Sequence, residues 1–217
     1  MNIEQARFNM IEQQIRPWNV LDQDVLDLLH VVKREQFVPA AYQNLAFADV
    51  EIPLPGGEAM LNPKVEARIM QELAVKKHEN VLEIGTGSGY MAALLAHKAR
   101  QVTTVEIQPE TARLARENLA RAGVSNVTVQ EGNGASGWNA GSPYDVVVVS
   151  GGLPVLPEGL LKAVKVGGRI GVILGDAPAM SFNIVTRTSE TGYDTVKLFE
   201  TNVKLLTGAQ APSRFQF

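Results

Sequence analysis

The chain has no cysteine, which excludes disulfides, thiol nucleophiles and cysteine-ligated metal sites. It has only three histidines, His30, His78 and His97. They are scattered along the sequence and read as structural or solvated, so no metal is expected and no catalytic triad is visible. No apolar run is long enough to cross a membrane. The first residues, Met1 to Arg7, are mixed polar and read as an amphipathic helix rather than a signal peptide. No basic stretch exceeds a few residues and the formal net charge is −3, so neither nucleic acid nor a membrane surface is favoured as a partner. A cytoplasmic location is the default expectation. What is present is 217 residues, 45% apolar and 20% charged, enough for one globular domain with a full core.

Two helices lead. One is predicted from Ile3 to Ile15, stopping at Pro17. The second has Asp22 as N-cap, with Val25, Leu26, Leu29 and Val32 on one face. Phe47 to Met60 reads as loop. Asn62-Pro63 then reads as N-cap and first helical position, ahead of a stripe of Val65, Ile69 and Leu73. From Asn80 the pattern changes to alternating strands and helices. Strands are predicted at Val81–Ile84, Val102–Glu106, Val127–Gln130, Asp145–Ser150 and Arg169–Leu174. Helices are predicted at Tyr90–Ala99, Pro109–Ala122 and Pro157–Val164. The unbroken Val146–Val149 run suits a central strand buried on both faces. Asn183–Thr188 and Thr195–Val203 read as a terminal antiparallel pair. The expectation is one doubly wound α/β domain over 1–217, with residues 1–79 as an N-terminal helical extension and 80–217 as the cofactor-binding core. In such sheets ligands sit at the carboxyl ends of the strands. Glu83, Glu106 and Glu131 fall at predicted strand ends and are expected to line one edge.

The most informative segment is Val81 to Tyr90, a strand running into Gly85-Thr86-Gly87-Ser88-Gly89 and then a helix. Glycine permits unusual dihedrals and a close approach of ligand to backbone. The helix start aims free N–H groups at that point. A dinucleotide fingerprint needs G-x-G-x-x-G, and here Tyr90 stands where its third glycine belongs. Glu83 lies two residues before Gly85, and Glu106 ends the next strand, where a carboxylate can accept from two ribose hydroxyls. E-x-G-x-G-x-G favours S-adenosylmethionine over NAD. A dinucleotide pyrophosphate wants the helix N-terminus. S-adenosylmethionine has no phosphate but carries a sulfonium and an ammonium, whose charge Glu83 can offset.

Matches far from this turn are more specific. Met10–Ile15, Val20-Leu21-Asp22, Arg34–Pro39 with Ala41-Tyr42, Pro53-Leu54-Pro55, Gly132-Asn133-Gly134 with Gly137-Trp138, and Leu206-Thr207-Gly208 resemble the protein-L-isoaspartate O-methyltransferase family. The resemblance covers nearly the whole chain. It implies a seven-strand-type methyltransferase sheet binding S-adenosylmethionine and releasing S-adenosylhomocysteine. By similarity Gly85, Gly87 and Gly89 form the floor, Glu106 holds the ribose, Ile107 lies against adenine, Asn133 reaches the adenine amino group, and Thr86 and Gly132 complete the cofactor-binding set. The family's usual residue at Asn133 is Asp; an Asn oxygen still accepts, without charge assistance. Trp138 reads equally as packing near the adenine and as ordinary loop packing, and Trp18 as packing.

The chain departs from the family at the acceptor motif. Where members carry a segment like Thr-Ile-Ser-Ala-Pro-His-Met, this chain has Ala59-Met60-Leu61-Asn62-Pro63-Lys64-Val65. Leu61 replaces the active-site serine and Lys64 the histidine. Met60, Leu61 and Lys64 are therefore the acceptor-side candidates, with Lys64 as a replacement cation and no catalytic residue assigned. A carboxylate is already a nucleophile at pH 7, so placing donor and acceptor is the chief task. The implied activity is methylation of the carboxylate of damaged isoaspartyl residues in proteins or peptides. The Leu61 exchange leaves two alternatives: methylation of a different, small acceptor, or cofactor binding without repair activity. The tail Ala211–Phe217 ends in two aromatics suited to tuck onto the sheet or touch another subunit.

Overall fold

The computed structural model describes residues 2–210, so the C-terminal tail and any contact it makes lie outside the described residues. The first helix, α1 (Ile3–Met10), is capped by Asn2, whose side chain accepts from the Gln5 N–H. It is shorter than its sequence pattern. Residues 11–15 continue as a wider π-helical turn, and a 3-10 turn over Arg16–Trp18 ends at left-handed Asn19. Pro17 has no N–H for a helical ladder, so the α-helix cannot run on through it. Helix α2 (Gln23–Val31) starts at Asp22, whose side chain accepts from the Asp24 N–H, as expected of an N-cap.

The stretch expected to be loop holds two short antiparallel strands, β1 (Ile52–Pro53) and β2 (Ala59–Met60), with Ile52 opposite Met60. Gly56 and Gly57, both at positive φ, turn the chain between them. Helix α3 (Pro63–Leu73) has Pro63 in its first turn. Asn62 occupies the cap position without a capping bond, because its amide donates to the Asp49 carbonyl at 3.2 Å.

Next come β3 (Asn80–Ile84), α4 (Tyr90–Lys98), β4 (Gln101–Glu106), α5 (Pro109–Arg121), β5 (Val127–Glu131), β6 (Tyr144–Leu153), α6 (Glu158–Ala163), β7 (Val164–Asp176), β8 (Ala179–Arg187) and β9 (Tyr193–Glu200). They build one seven-stranded sheet of order β5-β4-β3-β6-β7-β8-β9. The first five of these strands are mutually parallel; β8 and β9 are antiparallel additions at one edge. The doubly wound expectation holds. Strands β6, β7 and β8 run longer than predicted, while β9 covers Tyr193–Glu200 and stops short of the expected Val203. Beyond β9 the chain crosses over β6: the Gly152 N–H donates to the Lys204 carbonyl and the Leu206 N–H to the Gly152 carbonyl, both at 2.9 Å.

Alternating residues of the central strands serve opposite faces. Val81, Val102, Val146 and Val148 join a core with the N-terminal helices, α3 and α4. Leu82, Ile84, Val105, Val147 and Val149 join a second core with α6. The sheet reverses between β3 and β6, because β4 and β5 lie to one side of β3 and β6 to the other. That is where a crevice opens in this architecture. No described helix is long and apolar enough to cross a membrane.

Candidate active site

At that switch point two cavities adjoin. The larger, of about 470 Å³, is lined by Glu58, Ala59, Ile84, Gly85, Gly87, Val105, Glu106, Ile107, Gly132, Asn133, Gly134, Ala135, Ser150, Leu206 and Thr207. The smaller, of about 270 Å³, lies between the acceptor motif and the glycine turn, and holds Met60, Leu61, Glu66, Glu83, Thr86, Ser88, Tyr90 and Met91. Both share Ala59, Gly85, Gly87 and Ser150, so one cleft has two compartments.

Glu106 ends β4 inside the larger compartment. Its Oε2 accepts the Gly87 N–H and its Oε1 the Gln108 N–H, each at 3.0 Å. Two backbone donors thus aim the carboxylate. Burial raises its pKa while these N–H groups pull the other way. Asn133 is fixed by its own turn, with Oδ1 accepting the Ala135 N–H at 3.0 Å; a carbonyl oxygen keeps a second lone pair for a ligand. Trp138 does not line the cavity. It props the turn from behind, since a side chain on Gly132 would sit 2.8 Å from its ring. Glu58, which also lines the cavity, pairs with Lys204 at 3.1 Å and accepts the Thr207 hydroxyl at 2.7 Å.

Two expected site residues stand elsewhere, and Glu131, though it ends β5 as expected, does not line the cleft. Gly89 lines neither compartment. It sits at φ +86° against Leu119 and the Ala115 carbonyl, where it lets α4 and α5 pack. Lys64 lies outside both compartments as well. It pairs with Asp49 at 2.5 Å above the Trp18 ring, and that pairing removes it as a replacement cation. Glu131 is on the surface, bonded to Arg116.

Glu83 is in the smaller compartment, but not as an open edge group. On β3 it shares the face of Val81 and points beneath the turn, fully buried. Its two oxygens accept the Thr104 hydroxyl at 2.6 Å and the Ser150 hydroxyl at 2.8 Å. Burial pushes its pKa up to about 8, with the two hydroxyl bonds opposing. An unfolded glutamate titrates near about 4.3. Between those values the folded chain keeps a proton that the unfolded chain has released. This contribution is full below the unfolded value and falls by about 1.4 kcal/mol per pH unit as pH rises towards the folded one. The melting temperature of the ligand-free protein is therefore expected to fall as pH rises from about 6 to about 8. Glu83→Gln, which is neutral throughout, flattens that decline; a variant that melts with the wild-type pH slope would contradict it.

Met60 and Leu61 border the smaller compartment as expected. What the sequence did not disclose is the buried pair behind them. Arg34 and Glu66, 1% and 3% exposed, form an ion pair. Arg34 also donates to the Leu61 carbonyl at 2.8 Å, and its guanidinium lies 5.1 Å from the Tyr90 ring centroid. Arg34 thus ties the acceptor segment to the glycine turn. Glu66 is hidden among the apolar residues of α3, a position where helical periodicity gives no signal for a carboxylate. Among the described residues no group of three or more His, Asp or Glu side chains is placed to hold a metal.

The cavity's chemistry selects its ligand. Its wall carries the carboxylates of Glu58 and Glu106 and no lysine or arginine. Lys204 offsets Glu58, but Glu106 has only backbone N–H partners, so a pyrophosphate would meet its negative charge. A phosphate-free adenosyl sulfonium fits.

Comparison with known proteins agrees. The family model described as Protein-L-isoaspartate(D-aspartate) O-methyltransferase matches residues 5–201. Protein-L-isoaspartate O-methyltransferase 2 of Pelobacter propionicus is 37% identical over 210 residues, 96% of this chain and 93% of that one. The Rhodopseudomonas palustris protein-L-isoaspartate O-methyltransferase is 37% identical over 202 residues, 93% of each. A Plasmodium falciparum candidate for the same activity, solved with S-adenosyl-L-homocysteine, overlays with a TM-score of 0.81 at 17% identity, covering 95% of this chain and 99% of that one; at that identity it speaks for the fold.

Proposed function

Because the chain belongs to the protein-L-isoaspartate O-methyltransferase family, we propose that it methylates the free carboxylate of isoaspartyl residues in proteins or peptides, with S-adenosylmethionine as donor. The observation that carries this reading is the larger compartment at the carboxyl end of the sheet, where the Glu106 carboxylate is held by two backbone N–H groups with no cation beside it. Glu106 is the group for the ribose hydroxyls. Asn133 is the acceptor for the adenine amino group, Ile107 an apolar wall beside it, and Gly85 and Gly87 the floor. When bound, the donor supplies a methyl group on sulfur, and an acceptor carboxylate oxygen forms the new O–C bond as the S–C bond breaks and its electron pair stays on sulfur.

No proton moves in that transfer, so the chain's task is placement. Holding two reactants in line can contribute roughly 7–11 kcal/mol. Arg34 fixes the Leu61 carbonyl, and Met60 and Leu61, both buried, keep water from the smaller compartment. The coarse partner is a protein or peptide. A methyltransferase assay tests the reading: an isoaspartyl peptide is expected to gain a base-labile methyl ester, and no transfer at saturating enzyme contradicts it.

Leu61 gives the acceptor carboxylate no hydroxyl donor. Leu61→Ser is expected to raise kcat/KM for an isoaspartyl peptide about tenfold, the worth of one hydrogen bond to a charged group. An unchanged value would mean that Leu61 does not face the acceptor.

A further inference from the structure

We propose that Asn133 is a spontaneous modification site: in the ligand-free protein it deamidates through a cyclic imide to aspartate and isoaspartate, and an occupant of the larger compartment protects it. Asn133 is the one asparagine of the chain that is followed by glycine, Gly134. Ring closure requires the next backbone nitrogen to reach the side-chain Cγ, and glycine has no Cβ to obstruct that approach. Packing keeps glycine at this place. A Cβ on Gly134 would sit 2.6 Å from Ile84 Cδ1 and 3.3 Å from Val105 Cγ1, two buried side chains.

The turn also holds the reacting atoms together. Asn133 Oδ1 accepts the Ala135 N–H at 3.0 Å, the local bond by which an asparagine side chain closes a turn onto the backbone two residues on. That turn encloses the Asn133 Cγ and the Gly134 nitrogen. Its N–H polarises the side-chain carbonyl and faces the oxygen that gains negative charge when Cγ is attacked. Among the described residues the Gly134 N–H donates to no backbone carbonyl, so no such bond has to break first. Asn133 is exposed in the ligand-free chain, where water reaches it.

The Gly134 nitrogen gives its proton to solvent base and forms a bond to Cγ. The Cγ–Nδ2 bond then breaks, and Nδ2 takes a proton from solvent and leaves as ammonia. Water opens the imide at one of its two carbonyls. Attack at Cγ breaks the new bond and leaves aspartate. Attack at the main-chain carbonyl breaks the original peptide bond and leaves isoaspartate, with the backbone routed through Cγ.

The consequence for the cofactor rests on the reading of Asn133 as the acceptor for the adenine amino group. Aspartate keeps the acceptor and adds charge, and charge-assisted bonds are roughly twice as strong. Isoaspartate inserts one carbon into the backbone and moves the acceptor from its place. Asn133 lines the larger compartment, so an adenosyl group seated there covers it from water and holds the turn against the rotation that ring closure requires.

The test incubates the intact protein over days at mildly alkaline pH, with and without S-adenosylhomocysteine, and maps its peptides by mass spectrometry. S-adenosylhomocysteine carries no methyl group to transfer, so esterification does not hide the product. In the ligand-free protein, residue 133 is expected to accumulate as aspartate and isoaspartate. Asn139, exposed in the same loop but followed by alanine, is expected to stay intact. Ligand at about 100 times its Kd leaves about 1% of the protein free, and conversion is expected to slow about tenfold or more. Asn133→Asp shows the aspartate product directly, with affinity for S-adenosylhomocysteine expected to rise about fivefold, the difference between a charged and a neutral hydrogen bond. Residue 133 still asparagine in the ligand-free protein, or Asn139 converting as fast, overturns the proposal and leaves the methyltransferase reading intact. Conversion at an unchanged rate with S-adenosylhomocysteine bound overturns the protection. Failure of S-adenosylhomocysteine to bind at all overturns the methyltransferase reading, while conversion of the ligand-free protein still stands.

Discussion

Replacing Glu106 with leucine is expected to weaken binding of S-adenosylhomocysteine about 100-fold. Two hydroxyl-to-carboxylate bonds at about 1.5 kcal/mol each amount to about 3 kcal/mol, and every 1.4 kcal/mol is about tenfold in affinity. The loss has a second source. The Glu106 carboxylate accepts the Gly87 and Gln108 N–H groups, so leucine also leaves the floor of the cavity without its brace. Glu106→Gln separates the two. It keeps one carbonyl acceptor and loses the charge, and a loss nearer tenfold is expected. Calorimetric titration of both variants checks this. Leucine-variant affinity within threefold of wild type would remove Glu106 from the ribose site.

The second large effect concerns stability. Arg34→Met is expected to destabilise the protein by about 3–5 kcal/mol, the usual consequence of stranding one member of a buried ion pair. The Leu61 carbonyl loses its donor at the same time, and the Tyr90 ring loses the cation above it. Removing both charges in Arg34→Met/Glu66→Met is expected to recover most of the loss, since an apolar pair of similar volume is often neutral. Burial pushes the Glu66 carboxyl up to about 7 even with Arg34 opposing. Without Arg34 it rises further, and protonation then relieves the stranded charge. The single variant should therefore come closer to wild type as pH falls from about 8 to 6. Urea midpoints for wild type, Arg34→Met, Glu66→Met and the double variant give the coupling directly. A single variant within 1 kcal/mol of wild type, by that order of magnitude, would mean that the pair does not hold the acceptor segment.

Much of this was legible in the sequence, for local reasons. The β3 turn and Glu106 are contiguous with the strands that carry them, so period-two patterning and glycine spacing place them on one edge. Gly132 and Asn133 came only as what the family resemblance implies. The groups that escaped are those set by tertiary packing. Glu83 was expected at the open edge, yet strand alternation turns it onto the Val81 face, beneath the turn. Gly89 belongs to the same motif as Gly85 and Gly87, but its freedom serves the contact with Leu119. Lys64 was a plausible cation until Asp49 took it, fifteen residues away in sequence. Glu58, Leu206 and Thr207 meet at the larger cavity only because the chain leaves the sheet after β9 and crosses Gly152. Ser150 is the exception: its place just after the Val146–Val149 run puts it at the carboxyl end of a central strand, a signal that was there to be used.

The central claim is that this cleft esterifies isoaspartyl carboxylates with Leu61 in the serine's place. The most direct measurement is transfer of labelled methyl from S-adenosylmethionine to an isoaspartyl peptide and to its normal aspartyl twin, at equal concentration and saturating donor. One base-labile methyl group on the isoaspartyl peptide and none on the twin is the expected result. Equal labelling of the two, or labelling of neither while S-adenosylhomocysteine still binds, would contradict it.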